Sequence, residues 1–166
     1  KSKLIPKKYI NLFVEFNELQ KIFQVDSKSR FYGTAPLYHI YGFLFEIFLP
    51  IISSSTLILD YHFSPQSVAS FTTDNKITHF VSTPSYYSLF VRTNLIEHFK
   101  KCNSLFSSSG PLPLDVSNAF YNDNCRISEI YGSSETGGIA HRVSSINQQW
   151  ELFSYIKIKN EISNND

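Results

Sequence analysis

The chain has 166 residues, 42% of them hydrophobic and 17% charged, which is enough apolar side chain for a buried core and too little charge for a disordered tail. Lys and Arg number 15 against 14 Asp and Glu, a net charge of +1. That is far from the basic excess a phosphate backbone demands, so nucleic acid is not expected as a partner. Cys102 and Cys125 match no CxxC or CxxH spacing, so they set up neither a disulfide framework nor a metal site. The chain opens on Lys1 and contains no Met, so it is expected to be an internal segment of a longer polypeptide, with no segment directing secretion and a cytoplasmic setting.

In chain order, Leu12, Phe16, Leu19 and Phe23 mark one face of a helix over residues 11–23, with Glu15, Glu18 and Lys21 on its polar face. Residues 30–35 read as a strand running into a loop at Pro36. A helix resumes over 42–49. The apolar stretch 41–52, interrupted by Glu46 and Pro50, is shorter than the ~20 residues of a membrane span and reads as buried helix. Residues 56–59 suit a buried parallel strand. Ser64-Pro65 supplies a hydroxyl cap and a first-turn proline for a helix to residue 73. Strands at 78–82, 104–107 and 126–130 then alternate with helices at 84–92 and 113–121. This alternation predicts an α/β fold, a mainly parallel sheet flanked by helices, with ligands beyond the carboxyl ends of the strands. Residues 138–143 and 155–159 look like further strands, and 161–166 like a frayed tail.

Three segments following predicted strands carry the candidate chemistry. Glu129-Ile130-Tyr131-Gly132-Ser133-Ser134-Glu135-Thr136-Gly137-Gly138 combines glycines, hydroxyls, one carboxylate and one aromatic ring. Such a loop can bring backbone N–H groups and hydroxyls to a phosphate, because glycine removes the Cβ that would block the approach. Tyr131 could stack on a base, and Glu135 becomes a sensible phosphate neighbour if Mg²⁺ lies between them. In Ser108-Ser109-Gly110-Pro111-Leu112-Pro113, Gly110 frees the backbone to approach a planar ligand while the prolines stiffen the exit. Pro36-Leu37-Tyr38-His39-Ile40-Tyr41-Gly42 sets a histidine among aromatics where a strand turns into a helix.

Taken together and in this order, the three segments resemble the adenylate-forming superfamily of acyl- and aryl-CoA synthetases, firefly-type luciferases and adenylation domains of peptide synthetases. Residues 129–138 look like its YGxTE signature, 107–113 like its SGGAPLP turn and 36–42 like its P-x-x-H-x-x-G segment. Ser2-Lys3-Leu4-Ile5 and Asn11-Leu12 resemble the residues after its glycine-rich phosphate loop, and Lys3 would then be that loop's lysine. The resemblance weakens after Val143. It implies that residues 1–143 are the central part of the large N-terminal AMP-binding domain and that 144–166 begin a β-rich subdomain.

The resemblance also implies roles. Tyr131 would stack on adenine, with backbone around Ser109, Gly110 and Pro111 on the other side of the nucleotide. Gly132 and Ser133 would belong to the nucleotide site, Ser134 would bond the α-phosphate and Glu135 would hold Mg²⁺. His39, Gly42 and Phe43 would border the acyl site. The reaction implied is attack of a carboxylate on the α-phosphate of ATP, giving an acyl-adenylate and pyrophosphate. Acyl transfer to coenzyme A or the phosphopantetheine thiol of a carrier protein would follow.

The sequence departs from the family where Ser108-Ser109-Gly110 stands for the common Gly-Gly-Ala, and Ser2 for the usual proline before the lysine. The glycine-rich part of the phosphate loop would precede Lys1, and a ribose-binding aspartate and a catalytic lysine would follow Asp166, so the chain alone is expected to be catalytically silent or nearly so; having lost packing neighbours, it is expected to dimerise or to keep a partly disordered edge. Glu129 before the YG pair, and the absence of an acidic residue between Pro36 and Leu44 to meet an ammonium, lean toward an acyl-CoA synthetase over amino-acid adenylation. The rival from another class is a nucleotide-binding scaffold that kept the fold and lost the chemistry.

Overall fold

The computed structural model describes residues 5–62 and 64–158, so Lys3 and the expected frayed tail lie outside the described residues. Strands β1 (Arg30–Gly33), β2 (Thr56–Leu57), β3 (His79–Ser82), β4 (Ser104–Ser107), β5 (Ile127–Ser133), β6 (Gly137–Arg142) and β7 (Glu151–Leu152) form one sheet in the order β2-β1-β3-β4-β5-β6-β7. The first five pair in parallel, and β6 and β7 add on antiparallel. The strand order reverses at β1, which puts the topological switch point between β1 and β3.

Alternation along each strand sends successive side chains to opposite faces. Tyr32, Phe80, Leu105 and Ile127 join one buried cluster, and Phe31, Val81, Phe106 and Ile130 the other. The first cluster is covered by α4 (Pro65–Asp74), α5 (Pro84–Arg92) and α6 (Leu114–Asn122), through residues such as Val68, Phe90 and Phe120. The second is covered by α1 (Tyr9–Ile22) through Phe16 and Leu19, and by a run made of α2 (Ile40–Gly42), a π-helical turn (Phe43–Phe48) and α3 (Leu49–Ile52). Phe153, just past β7, is fully buried in this second cluster.

Local chemistry explains the element ends. Ser64 caps α4 by accepting the Ser67 N–H at 3.1 Å, with Ser67 closing the reciprocal box. Helices α1, α3, α4, α5 and α6 are each followed by a left-handed residue, Gln24, Ser54, Lys76, Asn94 and Asn124, and the next amide folds back onto the last turn, as Ile77 N does onto Thr72 O at 3.0 Å. β1 stops at Gly33 rather than running to residue 35, because the Ala35 N–H turns away to the buried carboxylate of Glu46 at 2.9 Å.

Three expectations are corrected. The strand expected over 155–159 is absent from 155–158; the pairing partner of β6 is Glu151–Leu152, and Tyr155 instead donates its hydroxyl to Gly138 O at 2.9 Å. β5 does not end at Ile130 but continues through Ser133, so the segment read as a loop is the tip of a hairpin. Glu15, placed on the polar face of α1, is buried and reaches into that hairpin.

Candidate functional site

The carboxyl ends of β1, β3, β4 and β5 open on one cavity of about 500 Å³. Pro36 and His39 border it after β1, Thr83 after β3, Ser108 and Ser109 after β4, and Ile130, Gly132, Ser133 and Ser134 along β5 and its turn. Ile40, Tyr41, Leu44 and Phe45 from the helical run form an apolar wall, and no Asp, Glu, Lys or Arg lines the cavity among the described residues. The three segments picked from sequence therefore converge on one place.

The hairpin tip is ordered by its own hydroxyl and by α1. Ser133 Oγ accepts the N–H groups of Glu135 and Thr136, both at 3.2 Å, folding the turn onto itself. Gly132 is required by close approach: a Cβ there would lie 2.2 Å from Gly137 O. A bulge opposite Tyr131 and Gly132 re-aims the strand just before the tip. Glu15 Oε1 accepts the Gly138 N–H at 2.6 Å, and Lys7 Nζ donates to the Glu135 carbonyl at 2.8 Å. Burial outweighs that hydrogen bond and the nearby Lys7, so the Glu15 carboxyl is held above its ordinary pKa.

The loop after β4 is fastened to the same strand. Ser108 donates its hydroxyl to Ile130 O at 2.7 Å, and the Leu112 N–H points at Glu129 Oε2 at 3.4 Å. Ser109 takes a left-handed φ of 71° and, among the described non-glycine residues that do so, is the one that does not follow a helix. At Gly110 an added Cβ would meet only Pro84, at 3.9 Å, so packing does not demand the glycine. Its effect is to leave the backbone open to an approaching ligand.

The structure divides the expected site residues between two surfaces. His39, Ser109, Gly132, Ser133 and Ser134 line the cavity; Gly42, Phe43, Gly110, Pro111, Tyr131 and Glu135 do not. Gly42 faces Pro36, whose carbonyl oxygen an added Cβ would meet at 2.4 Å, and the Phe43 ring lies 5.6 Å from that of Phe48. Tyr131 follows Ile130 on β5, so its ring projects from the opposite face, 56% exposed, as an aromatic shelf on the Glu129 side. Sequence reasoning did not nominate Leu44 and Phe45, the apolar wall, although Tyr41 and Phe45 stand at the i, i+4 spacing of one helix face.

No group of three His, Cys, Asp or Glu side chains fit for a metal occurs among the described residues. One carboxylate beside a hydroxyl-rich turn is nevertheless the kind of donor set that takes Mg²⁺ together with substrate phosphates, and Glu135 fits that mode. Across β1 a second cavity of about 250 Å³ is bordered by Tyr32, Asp60, His62 and Glu46. Desolvation pushes the Glu46 carboxyl up to about 8. No helix among the described residues is long and apolar enough to cross a membrane.

The comparisons with known proteins agree with this geometry. The family model described as AMP-binding enzyme matches residues 7–158. No curated protein matches the sequence significantly. Among solved structures, ATP-bound MatB from Rhodopseudomonas palustris aligns with a TM-score of 0.72 at 17% identity, over 81% of this chain and 27% of its own. The O-succinylbenzoate coenzyme A synthetase MenE from Bacillus subtilis, in complex with AMP, aligns at 0.72 and 17%, over 86% and 30%. The Vibrio cholerae adenylation domain AlmE, in complex with glycyl-adenosine-5'-phosphate, aligns at 0.75 and 18%, over 89% and 29%. The chain spans less than a third of the length of each of these three proteins.

Proposed function

Since the chain belongs to the AMP-binding enzyme family, we propose that it is part of an ATP-dependent ligase that activates a carboxylic acid as an acyl-adenylate and passes the acyl group to a thiol. The observation that carries this reading is the convergence of the three segments, separated in sequence, at the carboxyl ends of parallel strands β1, β4 and β5 of one sheet. On this reading, Gly132, Ser133 and Ser134 bring backbone N–H groups and hydroxyls to the phosphates, and the Ser109 backbone faces the other side of the nucleotide. Tyr131 offers its ring to the adenine, with Gly110 and Pro111 on the facing loop. His39, at the cavity rim, stands beside the reacting carboxylate. Glu135 would hold Mg²⁺, which when bound offsets phosphate charge. Catalysis is positioning of carboxylate against α-phosphate and neutralisation of charge, with Lys3 as a further cation.

The apolar wall of Tyr41, Leu44, Phe45 and Ile130 favours an uncharged acyl or aryl tail, since no fixed charge among the described residues lines the cavity to pair with a second carboxylate or an ammonium. The acceptor is coenzyme A or a carrier-protein phosphopantetheine. The setting is cytoplasmic, consistent with the free thiols Cys102 and Cys125. The test is carboxylate-dependent exchange of labelled pyrophosphate into ATP by the full-length protein, across fatty and aromatic acids, beside Glu135→Gln. Exchange with one class of acid, collapsing in the variant, is the expected result. ATP binding without exchange for any acid would turn the reading to a nucleotide-binding scaffold.

A further inference from the structure

Behind the Tyr131 shelf lies a set of contacts that no motif announced. Glu129, buried on β5, receives Arg142 of β6 through both carboxylate oxygens, with Nε at 2.9 Å and Nη2 at 3.2 Å. The third guanidinium nitrogen, Nη1, donates to Gln148 O at 3.0 Å and so ties down the loop after β6. With its nitrogens spent in one plane, Arg142 presents its face to Trp150, the ring centroid lying 4.3 Å from Cζ. The Trp150 ring in turn meets Tyr131 at 5.6 Å and 49°. Trp150 is thus held between a fixed cation and the exposed tyrosine, and the carboxylate that anchors the cation also faces the Leu112 N–H in the loop after β4.

Buried Glu129 requires its pairing with Arg142, but nothing in the core requires Trp150 to lie where it does. Trp150 remains 41% exposed and belongs to neither buried cluster. Its ring lies against one side of the exposed Tyr131 ring, a contact that serves a purpose beyond packing only if something uses the plane of that ring. We propose that Trp150, clamped by Arg142, is a positioning residue that fixes the ring of Tyr131 in the plane it offers to the nucleobase. Glu129 joins both walls of that slot, one through Arg142 and Trp150 and the other through Leu112. The inference rests on the nucleotide reading given above and adds a residue to it.

The test measures dissociation constants of AMP and of ribose 5-phosphate for the full chain, for Trp150→Ala, Trp150→Phe and Arg142→Lys, with Tyr131→Ala as reference. Because Trp150 is half-exposed, its substitutions leave the core intact. Trp150→Ala is expected to weaken AMP roughly three- to tenfold, the worth of one aromatic contact, and to leave ribose 5-phosphate unchanged, since that ligand lacks the base. Trp150→Phe recovers most of the loss, and Arg142→Lys weakens AMP at least as much as Trp150→Ala, because it releases Trp150 and also the Glu129 anchor shared with the Leu112 loop. Equal weakening of the two ligands would mean a merely structural role and overturn the proposal. If Tyr131→Ala weakens AMP and Trp150→Ala does not, the nucleotide reading stands and the proposal alone falls. If neither does, both fall.

Discussion

Gly132 is where the site is least forgiving. A methyl group there would sit inside the contact distance of the Gly137 carbonyl, so Gly132→Ala must pry the hairpin open. We expect a loss of about 1–3 kcal/mol in denaturant unfolding, the usual cost of overpacking, together with weaker nucleotide binding. Glu46 sets a second residue-scale prediction. Its carboxyl holds its proton up to about 8 in the folded chain against an ordinary 4.5, so the folded state binds more protons than the unfolded between those values. Stability contributed by neutral Glu46 is therefore complete below about 4.5 and is lost as pH rises toward about 8. Glu46→Gln keeps the acceptor for Ala35 and cannot ionise. Thermal unfolding should show it matching the parent near pH 4.5 and exceeding it above pH 8, by an amount on the order of 4 kcal/mol. A parallel pair of melting curves would refute this.

At the scale of elements, the five helices that end in left-handed residues do so without glycine. Lys76→Gly should raise stability by up to about 1 kcal/mol, because the Cβ that crowds a left-handed backbone is removed while the fold-back of Ile77 is kept. Urea midpoints of the two chains would settle it. Strand and helix alternation was readable from residues such as Phe80, Leu105 and the Ser64-Pro65 start, because those features are local. The hairpin was not: the pairing of β5 with β6 depends on glycines that serve equally in a loop, and only the opposing strand distinguishes the two. Glu15 was misplaced for a similar reason. Its partner amide belongs to Gly138, and a carboxylate flanked by Val14 and Phe16 on a helix carries no mark of whether it faces water or a buried N–H. The three site segments were legible because their chemistry is written in short runs. The Arg142 and Trp150 contacts were not, because they join residues with no shared periodicity.

At the scale of the whole molecule, the outward face of α1 carries Tyr9, Ile10 and Val14 exposed to solvent, an apolar strip beside the hairpin it supports. We expect sedimentation at rising concentration to show mass increasing above that of one chain, and Ile10→Lys to reduce the increase; a constant single-chain mass would exclude it. The clamp from Glu15 to Gly138 spans 123 residues of sequence. Closing a loop of that size is slow beside the pairing of neighbouring elements, and the contacts that reward it come late. On the ribosome, α1 emerges well before β6, and its carboxylate must wait for the intervening elements before it meets the hairpin. The hairpin proposed to meet the nucleotide therefore gains its support from α1 only after residue 138 has been made, and a nascent chain halted before Gly138 would leave the Glu15 carboxyl without the amide it was placed to receive.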